Sequence, residues 1–188
     1  DHITPDRLFE YAPKANTLSV LKTLPGRFDS AGLAVDQFEV KSKDGESVPY
    51  FLIRKKDTVL NGKTPTVLYG YGGFEISLTP WYSAISGKLW LERGGAYAIA
   101  NIRGGGEFGP RWHKAALKKN RQRAYDDFIA VASDLIERKV TSSPHLGIMG
   151  GSNGGLLVGA AFTQRPDLFG AVVCQVPLLD MYRYTKLL

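Results

Sequence analysis

The hydrophobic positions in the last two thirds of the chain fall into short continuous runs separated by longer stretches of mixed polarity. Four such runs, at residues 66–70, 96–100, 146–149 and 171–174, lack the alternation of a half-exposed strand. Runs of this length are typical of strands that are buried on both faces, as in a parallel sheet. We therefore predict four central strands at these positions.

Between the runs, the spacing of apolar residues changes to that of helices. Tyr125, Phe128, Ile129 and Ala132 follow the i, i+3, i+4, i+7 spacing, which predicts an amphipathic helix over about 123–139. Residues 156–164 are almost wholly apolar and predict a buried helix. Strands that alternate with helices favour an α/β architecture.

The first third of the chain has a different pattern. Residues 1–35 contain short apolar stretches interrupted by Pro5, Pro13 and Pro25, which predict one or two strands followed by a linker. From Phe38 apolar and charged residues alternate, and a second apolar stretch at 48–53 follows a turn at 43–46. This arrangement predicts a β-hairpin ahead of the central strands.

Composition excludes several classes of protein. Of the 188 residues, 44% are hydrophobic and 22% are charged, which is the composition of a globular rather than a disordered chain. No window approaches 18 unbroken apolar residues, so we expect no transmembrane helix. The single cysteine, Cys174, excludes an intramolecular disulfide framework and a cysteine-based zinc site.

The net charge of +6 would suit a polyanionic partner. The basic residues are scattered except for one cluster, which consists of Arg111, Lys114, Lys118, Lys119, Arg121 and Arg123. We interpret this cluster as a solvated loop and helix face, and we expect neither nucleic acid nor a membrane as a partner. The alternative is a nucleic-acid binder that uses the cluster, and its binding would depend steeply on salt.

The strongest chemical signal is the sequence Gly-Gly-Ser-Asn-Gly-Gly at 150–155, a G-x-S-x-G motif centred on Ser152. A predicted strand enters the motif and a predicted buried helix leaves it, which is the context of a nucleophile elbow. Glycines at 150 and 154 would give the tight turn its clearance. The backbone N–H of Asn153 is then placed to donate to an oxyanion. The alternative is a glycine-rich turn whose serine caps the helix.

A serine nucleophile requires a base, but no histidine follows Ser152. His2, His113 and His145 all precede it, whereas α/β-hydrolases have the order serine, acid, histidine. His145 begins the strand that ends in the elbow, about 20 Å away at about 3.3 Å per residue. We interpret His113 as a surface or packing residue. The triad is therefore incomplete, and we expect the sequence to be a truncated piece of a longer hydrolase.

Two further glycine clusters follow predicted strands. The loop at 69–74 follows a strand in the place where α/β-hydrolases have their second oxyanion donor, and we predict that this donor is the hydroxyl of Tyr71. Phe74 could form an aromatic wall for a substrate side chain. Core packing is the alternative for both aromatic residues.

The second cluster has the spacing of a dinucleotide-binding loop. Gly104, Gly106 and Gly109 match this spacing, and Asp126 lies about 20 residues further on. However, the residues after Gly109 do not open an apolar helix, and Asp126 falls inside a predicted amphipathic helix rather than at a strand end. We therefore interpret the cluster as a tight loop at the edge of the active-site face.

Together these segments resemble the prolyl oligopeptidase family of serine peptidases. The resemblance extends from about residue 42 to 181 and rests on five segments in the same order: Y-G-Y-G-G-F at 69–74, N-I-R-G-G-G-E-F-G at 101–109, Y-D-D-F at 125–128, G-G-S-N-G-G-L-L-V at 150–158 and Q-R-P-D-L-F-G at 164–170. It implies an α/β-hydrolase fold, with a mostly parallel sheet and flanking helices, over residues 31–188. Residues 1–30 would be the end of an N-terminal β-propeller domain and the linker after it.

The resemblance also implies roles for individual residues. Ser152 would be the nucleophile, and the backbone of Asn153 and the hydroxyl of Tyr71 would form the oxyanion hole. Phe74 and Leu178 would line the pocket for the residue before the scissile bond, which is proline in the type members. The aspartate and histidine of the family's triad lie beyond this sequence. The implied substrate is a short peptide, and the reaction needs no metal and no cofactor.

We therefore expect a serine peptidase that cleaves short peptides, after proline by resemblance, through an acyl-enzyme on Ser152. One alternative is an esterase or acylaminoacyl hydrolase, because the fold alone does not choose among these reactions. The other is an inactive truncated remnant, which the missing histidine favours. The sequence shows no targeting segment, so cytoplasmic and periplasmic locations fit equally, and it does not indicate an oligomeric state.

Overall fold

The computed structural model describes residues 1–187, with side chains through Lys186. The strands are β1 (Arg7–Ala12), β2 (Thr17–Thr23), β3 (Leu33–Lys41), β4 (Ser47–Lys55), β5 (Thr66–Gly70), β6 (Ala96–Ala100), β7 (Leu146–Gly151) and β8 (Ala171–Gln175). The α-helices are α1 (Ala84–Ser86), α2 (Pro110–Lys114), α3 (Gln122–Glu137), α4 (Asn153–Gln164) and α5 (Tyr184–Leu187). The structure confirms the predicted hairpin, a strand at each of the four predicted positions and both predicted helices.

Six of the strands form one mixed sheet in the order β3-β4-β6-β5-β7-β8. The hairpin of β3 and β4 is antiparallel, and β4 also pairs antiparallel with β6. From β6 onward every pairing is parallel. The sheet is therefore mostly parallel with an antiparallel edge, as the alternation of strands and helices predicts, and the carboxyl ends of β5, β6 and β7 meet at one edge.

The core has two layers because side chains alternate along each strand. Ala98 of β6 faces a cluster in which α3 and α4 cover the sheet, with Phe128 and Leu157 fully buried. Tyr97 and Ile99 face the opposite cluster, which also contains residues of β3, β4 and the turn at Gly87–Leu91. Burial on both faces explains why β6 has no polar position.

Strand β8 departs from the expected burial. Its continuous apolar run predicts a strand buried on both faces, but Val172 and Val173 are 38% and 47% exposed. In the described residues β8 is the last strand of the sheet and pairs with β7 alone. A continuous apolar run indicates a parallel strand but does not show how many neighbours cover it.

Strands β1 and β2 form a separate antiparallel sheet. This pair confirms the strands expected in the first 35 residues. The residues of both strands are exposed, including apolar ones such as Leu8 and Leu18. Two residues that flank the pair contact the α/β part: the ring of His2 lies 5.1 Å from that of Phe51, and Phe28 packs against the second core cluster.

The loop after β6 is held by a buried arginine. Arg103 is 3% exposed, and its guanidinium donates to both carboxylate oxygens of Asp127 on α3, at 2.9 and 2.6 Å. The other side of the same guanidinium binds Asp44 of the β3–β4 turn at 2.6 and 2.8 Å. The glycine cluster at 104–109 is therefore part of a structural loop, in agreement with the interpretation as a tight loop.

Candidate active site

The elbow around Ser152 has strained backbone geometry. Strand β7 ends at Gly151 and α4 begins at Asn153, so Ser152 is the single residue between them. Its φ of 56° and ψ of −115° lie in a region that residues with side chains rarely occupy. The Ser152 N–H donates to the carbonyl of Gln175 at 3.0 Å, which fixes the turn against β8. Strain of this kind persists only where surrounding contacts hold it, and it is concentrated at functional sites.

Close backbone approach explains two of the glycines of the motif. A Cβ atom at position 150 would lie 2.3 Å from the carbonyl oxygen of Gly154, and one at position 154 would lie 2.7 Å from that of Gly70. These distances are shorter than real Cβ contacts, so the predicted clearance is confirmed. The alternative of a helix-capping serine is wrong, because the Ser152 side chain forms no capping hydrogen bond.

Asn153 occupies the first position of α4. Its backbone N–H has no acceptor within the helix, because the first four N–H groups of any helix lack one. These free N–H groups carry the positive end of the helix dipole. The side-chain amide of Asn153, which is 6% exposed, donates to the carbonyl of Tyr71 at 2.6 Å. The residue after the serine is thereby tied to the loop after β5.

Tyr71 lies beside the elbow. The Cδ2 atom of its half-buried ring is 3.5 Å from the point where a Cβ of Gly154 would stand. Phe74 in the same loop has a φ of 53° and is 61% exposed, so core packing, the alternative for this residue, is wrong. The positive φ at Phe74 instead directs its side chain away from the core.

A pocket of about 510 Å³ lies next to the elbow and is predominantly apolar. It is lined by Gly73, Phe74, His113, Ala116, Leu117, Lys118, Arg121, Tyr125, Asn153, Leu156, Leu178, Met181 and Tyr184. Three residues predicted as site residues, Phe74, Asn153 and Leu178, thus share one cavity. Ser152 and Tyr71, the other two predicted site residues, are not among the residues that line it; Ser152 precedes Asn153 in the chain, and the backbone carbonyl of Tyr71 accepts a hydrogen bond from the Asn153 side chain.

Ten of the thirteen pocket residues were not predicted as site residues, among them His113 and Arg121. His113, interpreted from the sequence as a surface or packing residue, lines the pocket, and its Nδ1 lies 2.7 Å from the carbonyl oxygen of Gly104. Arg121 was assigned to a solvated basic face but points inward to Gly72 and Asn153. In the sequence, the only indication that either residue belongs to the site was that it follows the glycine cluster at 104–109.

The basic cluster therefore does not form one surface. Arg121 lies in the pocket, whereas Arg123 donates to the carbonyl of Ala115 and lies 3.4 Å from Asp44. Within residues 1–187 no group of three or more His, Cys, Asp or Glu side chains could hold a metal ion. None of the helices in this part of the chain is long and apolar enough to cross a bilayer.

The local electrostatics of the loop after β6 are set by the buried arginine. A hydrogen bond from Arg103 is the main reason that the pKa of Asp44 is below its ordinary value, and the charge of Arg123 adds to the effect. Burial by itself would lower the pKa of Arg103, but the hydrogen bonds that Arg103 donates to Asp127 and Asp44 outweigh it and raise the pKa above its ordinary value. The Arg103 guanidinium is therefore a permanent positive charge in this loop.

Comparisons with known proteins identify the family of this chain. The sequence profile of the prolyl oligopeptidase family matches residues 81–187. An uncharacterized peptidase of Sinorhizobium fredii is 61% identical over 185 residues, which are 98% of this chain and 26% of that protein.

Solved structures give the same result. A post-proline cleaving enzyme from Rickettsia typhi is 48% identical and superimposes with a TM-score of 0.92, covering 99% of this chain and 27% of that one. Prolyl oligopeptidase B from Galerina marginata, bound to a 35mer hydrolysis and macrocyclization substrate, is 36% identical with a TM-score of 0.92, covering 98% and 27%. The chain thus spans about a quarter of the length of these relatives.

Proposed function

Because the chain belongs to the prolyl oligopeptidase family, we propose that it supplies the nucleophile, the oxyanion hole and part of the substrate pocket of a serine peptidase. The observation that carries the proposal is the positive φ of Ser152 at the junction of β7 and α4. A strained residue between a buried strand and a buried helix holds its hydroxyl out at the edge of the sheet, which is the geometry of a nucleophile elbow.

The proposed reaction is acyl transfer to serine. The Ser152 Oγ attacks the peptide carbonyl and gives its proton to a histidine, which returns it to the leaving amine as the C–N bond breaks. Water then attacks the acyl-enzyme and releases the acid. We assign the histidine to sequence outside this chain, because α/β-hydrolases have it after the serine and all three histidines here precede Ser152. The family resemblance implies the same for its aspartate partner.

The negative charge of the tetrahedral intermediate needs two donors. We assign these to the backbone N–H of Asn153 and the hydroxyl of Tyr71. The hydrogen bond between the Asn153 side chain and the Tyr71 carbonyl supports this assignment, because it fixes the distance between the two segments that carry the donors.

The proposed substrate is a short peptide cleaved after proline. The residue before the scissile bond enters the apolar pocket beside Phe74 and Leu178. A proline ring is compact and apolar and has no N–H to satisfy, so it suits a pocket of this composition. The name of the Rickettsia typhi relative, a post-proline cleaving enzyme, supports the same specificity.

The chain is proposed to combine parts of two domains. Residues 1–30, which include the exposed pair β1 and β2, are the end of a β-propeller and a linker, and residues 31–188 are the first part of the catalytic domain. The separate sheet and the apolar side chains exposed on it support this division.

The test begins with the gene. A reading frame that continues past Leu188 and encodes an aspartate and then a histidine would agree with the proposal, whereas a stop codon at that point would contradict catalysis by this chain. In the full-length protein, Ser152→Ala should remove hydrolysis of a chromogenic proline peptide and labelling by a fluorophosphonate. Ser19→Ala, at an exposed position of β2, is the matched control and should leave both unchanged.

The substrate panel separates the remaining alternatives. Hydrolysis of simple esters or acylated amino acids without cleavage of proline peptides would replace the peptidase by an esterase or acylaminoacyl hydrolase. Absence of labelling and of all hydrolysis in the full-length protein would identify an inactive relative.

A further inference from the structure

Arg121 connects the two segments that carry the proposed oxyanion donors. Its Nη1 donates to the carbonyl oxygen of Gly72 in the loop after β5. Its Nη2 donates to Oδ1 of Asn153 at 3.4 Å, and the amide of Asn153 in turn donates to Tyr71 at 2.6 Å. Three hydrogen bonds therefore join Arg121, the loop after β5 and the first residue of α4.

Both terminal nitrogens of the Arg121 guanidinium group donate hydrogen bonds. It lies over the ring of Tyr125, with 5.3 Å between its central carbon and the ring centroid. Its Nε is buried and has no hydrogen-bond partner in the described residues. A planar fork of donors can bind two acceptors at once, which the single ammonium of a lysine cannot do in the same geometry.

The glycine loop after β6 makes room for this arrangement. A Cβ atom at Gly104 would lie 2.3 Å from the carbonyl oxygen of Gly72 and 3.1 Å from Nη1 of Arg121. Gly104 also has a φ of +100°, which residues with side chains rarely adopt. The glycine at this position is therefore required by the contact between Arg121 and Gly72.

The charge of Arg121 is not neutralised locally. Its two acceptors are a carbonyl and an amide oxygen, and it forms no ion pair within residues 1–187. Arg103 and Arg123, by contrast, each pair with a carboxylate. An unneutralised positive charge near the elbow favours the state in which negative charge develops on the substrate.

We propose that Arg121 is a positioning residue for the oxyanion hole, which sets the Tyr71–Gly72 loop against Asn153 and adds positive charge to the site. This inference rests on the proposed function, because Tyr71 and Asn153 act as donors only if Ser152 is the nucleophile. It does not require Arg121 to touch the substrate.

The experiment compares Arg121→Gln, Arg121→Lys and the control Arg123→Gln in the full-length protein. Arg121→Gln should lower kcat on a proline peptide by about 10- to 100-fold, less than the loss of a direct oxyanion donor, and change KM by less than about threefold. Arg121→Lys keeps the positive charge but replaces the two donating nitrogens by a single ammonium group. We therefore expect kcat to fall less than it does in Arg121→Gln. Arg123→Gln removes a neighbouring charge outside the pocket and should leave both constants unchanged.

A second measurement does not depend on activity. Backbone amide exchange in Arg121→Gln should become faster in the segments 71–74 and 153–155 and stay unchanged in the middle of α3. Unchanged exchange in these segments would overturn the inference, as would faster exchange with an unchanged kcat, since Arg121 would then have only a structural role. If the unmodified protein hydrolyses nothing, the proposed function fails, and the exchange data alone decide whether Arg121 sets the two segments.

Discussion

The side-chain amide of Asn153 donates a hydrogen bond of 2.6 Å to the backbone carbonyl of Tyr71, 82 residues earlier in the chain. This bond joins the residue after the proposed nucleophile to the residue whose hydroxyl is the second proposed oxyanion donor. The backbone N–H of Asn153 can serve the oxyanion while its side chain holds the loop of Tyr71. One residue thus supplies a donor and positions the other.

Replacement of Asn153 tests this relationship. Asn153→Ala keeps the backbone N–H but loses the bond to Tyr71, so we expect kcat to fall by about tenfold, which corresponds to one hydrogen bond of about 1.4 kcal/mol. Asn153→Asp keeps an acceptor for Arg121 but places an oxygen against the Tyr71 carbonyl, and should lose at least as much. Steady-state kinetics of the full-length protein measure both effects, and wild-type activity in Asn153→Asp would mean that the bond to Tyr71 is dispensable.

Gly154 is expected to be intolerant of any side chain. A Cβ atom there would lie 2.7 Å from the carbonyl oxygen of Gly70 and would push β5 and the Tyr71 loop away from α4. We expect Gly154→Ala to lower the free energy of unfolding by about 1–3 kcal/mol, the usual cost of overpacking, and to lower activity as well.

Gly147 offers a matched control on the strand that leads to the elbow. A Cβ atom at Gly147 would meet its nearest neighbour at 3.6 Å, an ordinary contact. Gly147→Ala should therefore change the free energy of unfolding by less than about 0.5 kcal/mol. Equal effects of the two substitutions in chemical denaturation would show that the close approach at Gly154 is unimportant.

The buried pair of Arg103 and Asp127 predicts a large effect on stability. Asp127 is fully buried, and its removal leaves the guanidinium of Arg103 with only Asp44 as a charged partner. We expect Asp127→Ala to lower the free energy of unfolding by about 3–5 kcal/mol, because a buried charge loses its partner.

The neighbouring Asp126 serves as the control for this pair. Its carboxylate accepts a hydrogen bond from Gln122 on the surface of α3. Asp126→Ala should change stability by about 0.5 kcal/mol or less, as is usual for surface substitutions. A comparable loss in both variants would remove the special role assigned to the buried pair.

Asp44 predicts a dependence of stability on pH. Its pKa is lowered in the folded state, chiefly by the hydrogen bond from Arg103, so it stabilises the fold above the ordinary carboxyl pKa of about 3.9. This stabilisation is lost as the pH falls through the lowered pKa that Asp44 has in the folded state. The Asp44 side chain is 40% exposed, which limits the effect to about 1 kcal/mol.

We therefore expect Asp44→Asn to have a lower Tm than the unmodified protein at pH 7, and the difference to shrink as the pH falls below about 4. Asp57→Asn, at an exposed carboxylate after β4, should show no such difference at either pH. Thermal unfolding at several pH values measures this, and a constant difference between Asp44→Asn and the unmodified protein down to pH 2 would contradict the assigned cause.

Much of the fold could be predicted because its signals are local. The continuous apolar runs identified β5, β6 and β7, since a strand covered on both faces of the sheet needs apolar residues at every position. The run at β8 identified a strand as well, although Val172 and Val173 are partly exposed. The glycines at 150 and 154 identified the elbow, because a strand that turns directly into a helix leaves no space for side chains there. The proposed site residues Phe74, Asn153 and Leu178 were also found in one pocket.

The sequence by itself thus determined the order of the elements, their approximate bounds and the position of the elbow, because each depends on residues within one turn or one strand. Only the tertiary structure decided the strand order β3-β4-β6-β5-β7-β8, in which β6 lies between β4 and β5. It also decided which cations of the basic cluster face inward, so that Arg121 binds Gly72 and Asn153 while Arg123 lies near Asp44. These outcomes depend on contacts between segments up to about 80 residues apart, and local spacing carries no information about such contacts.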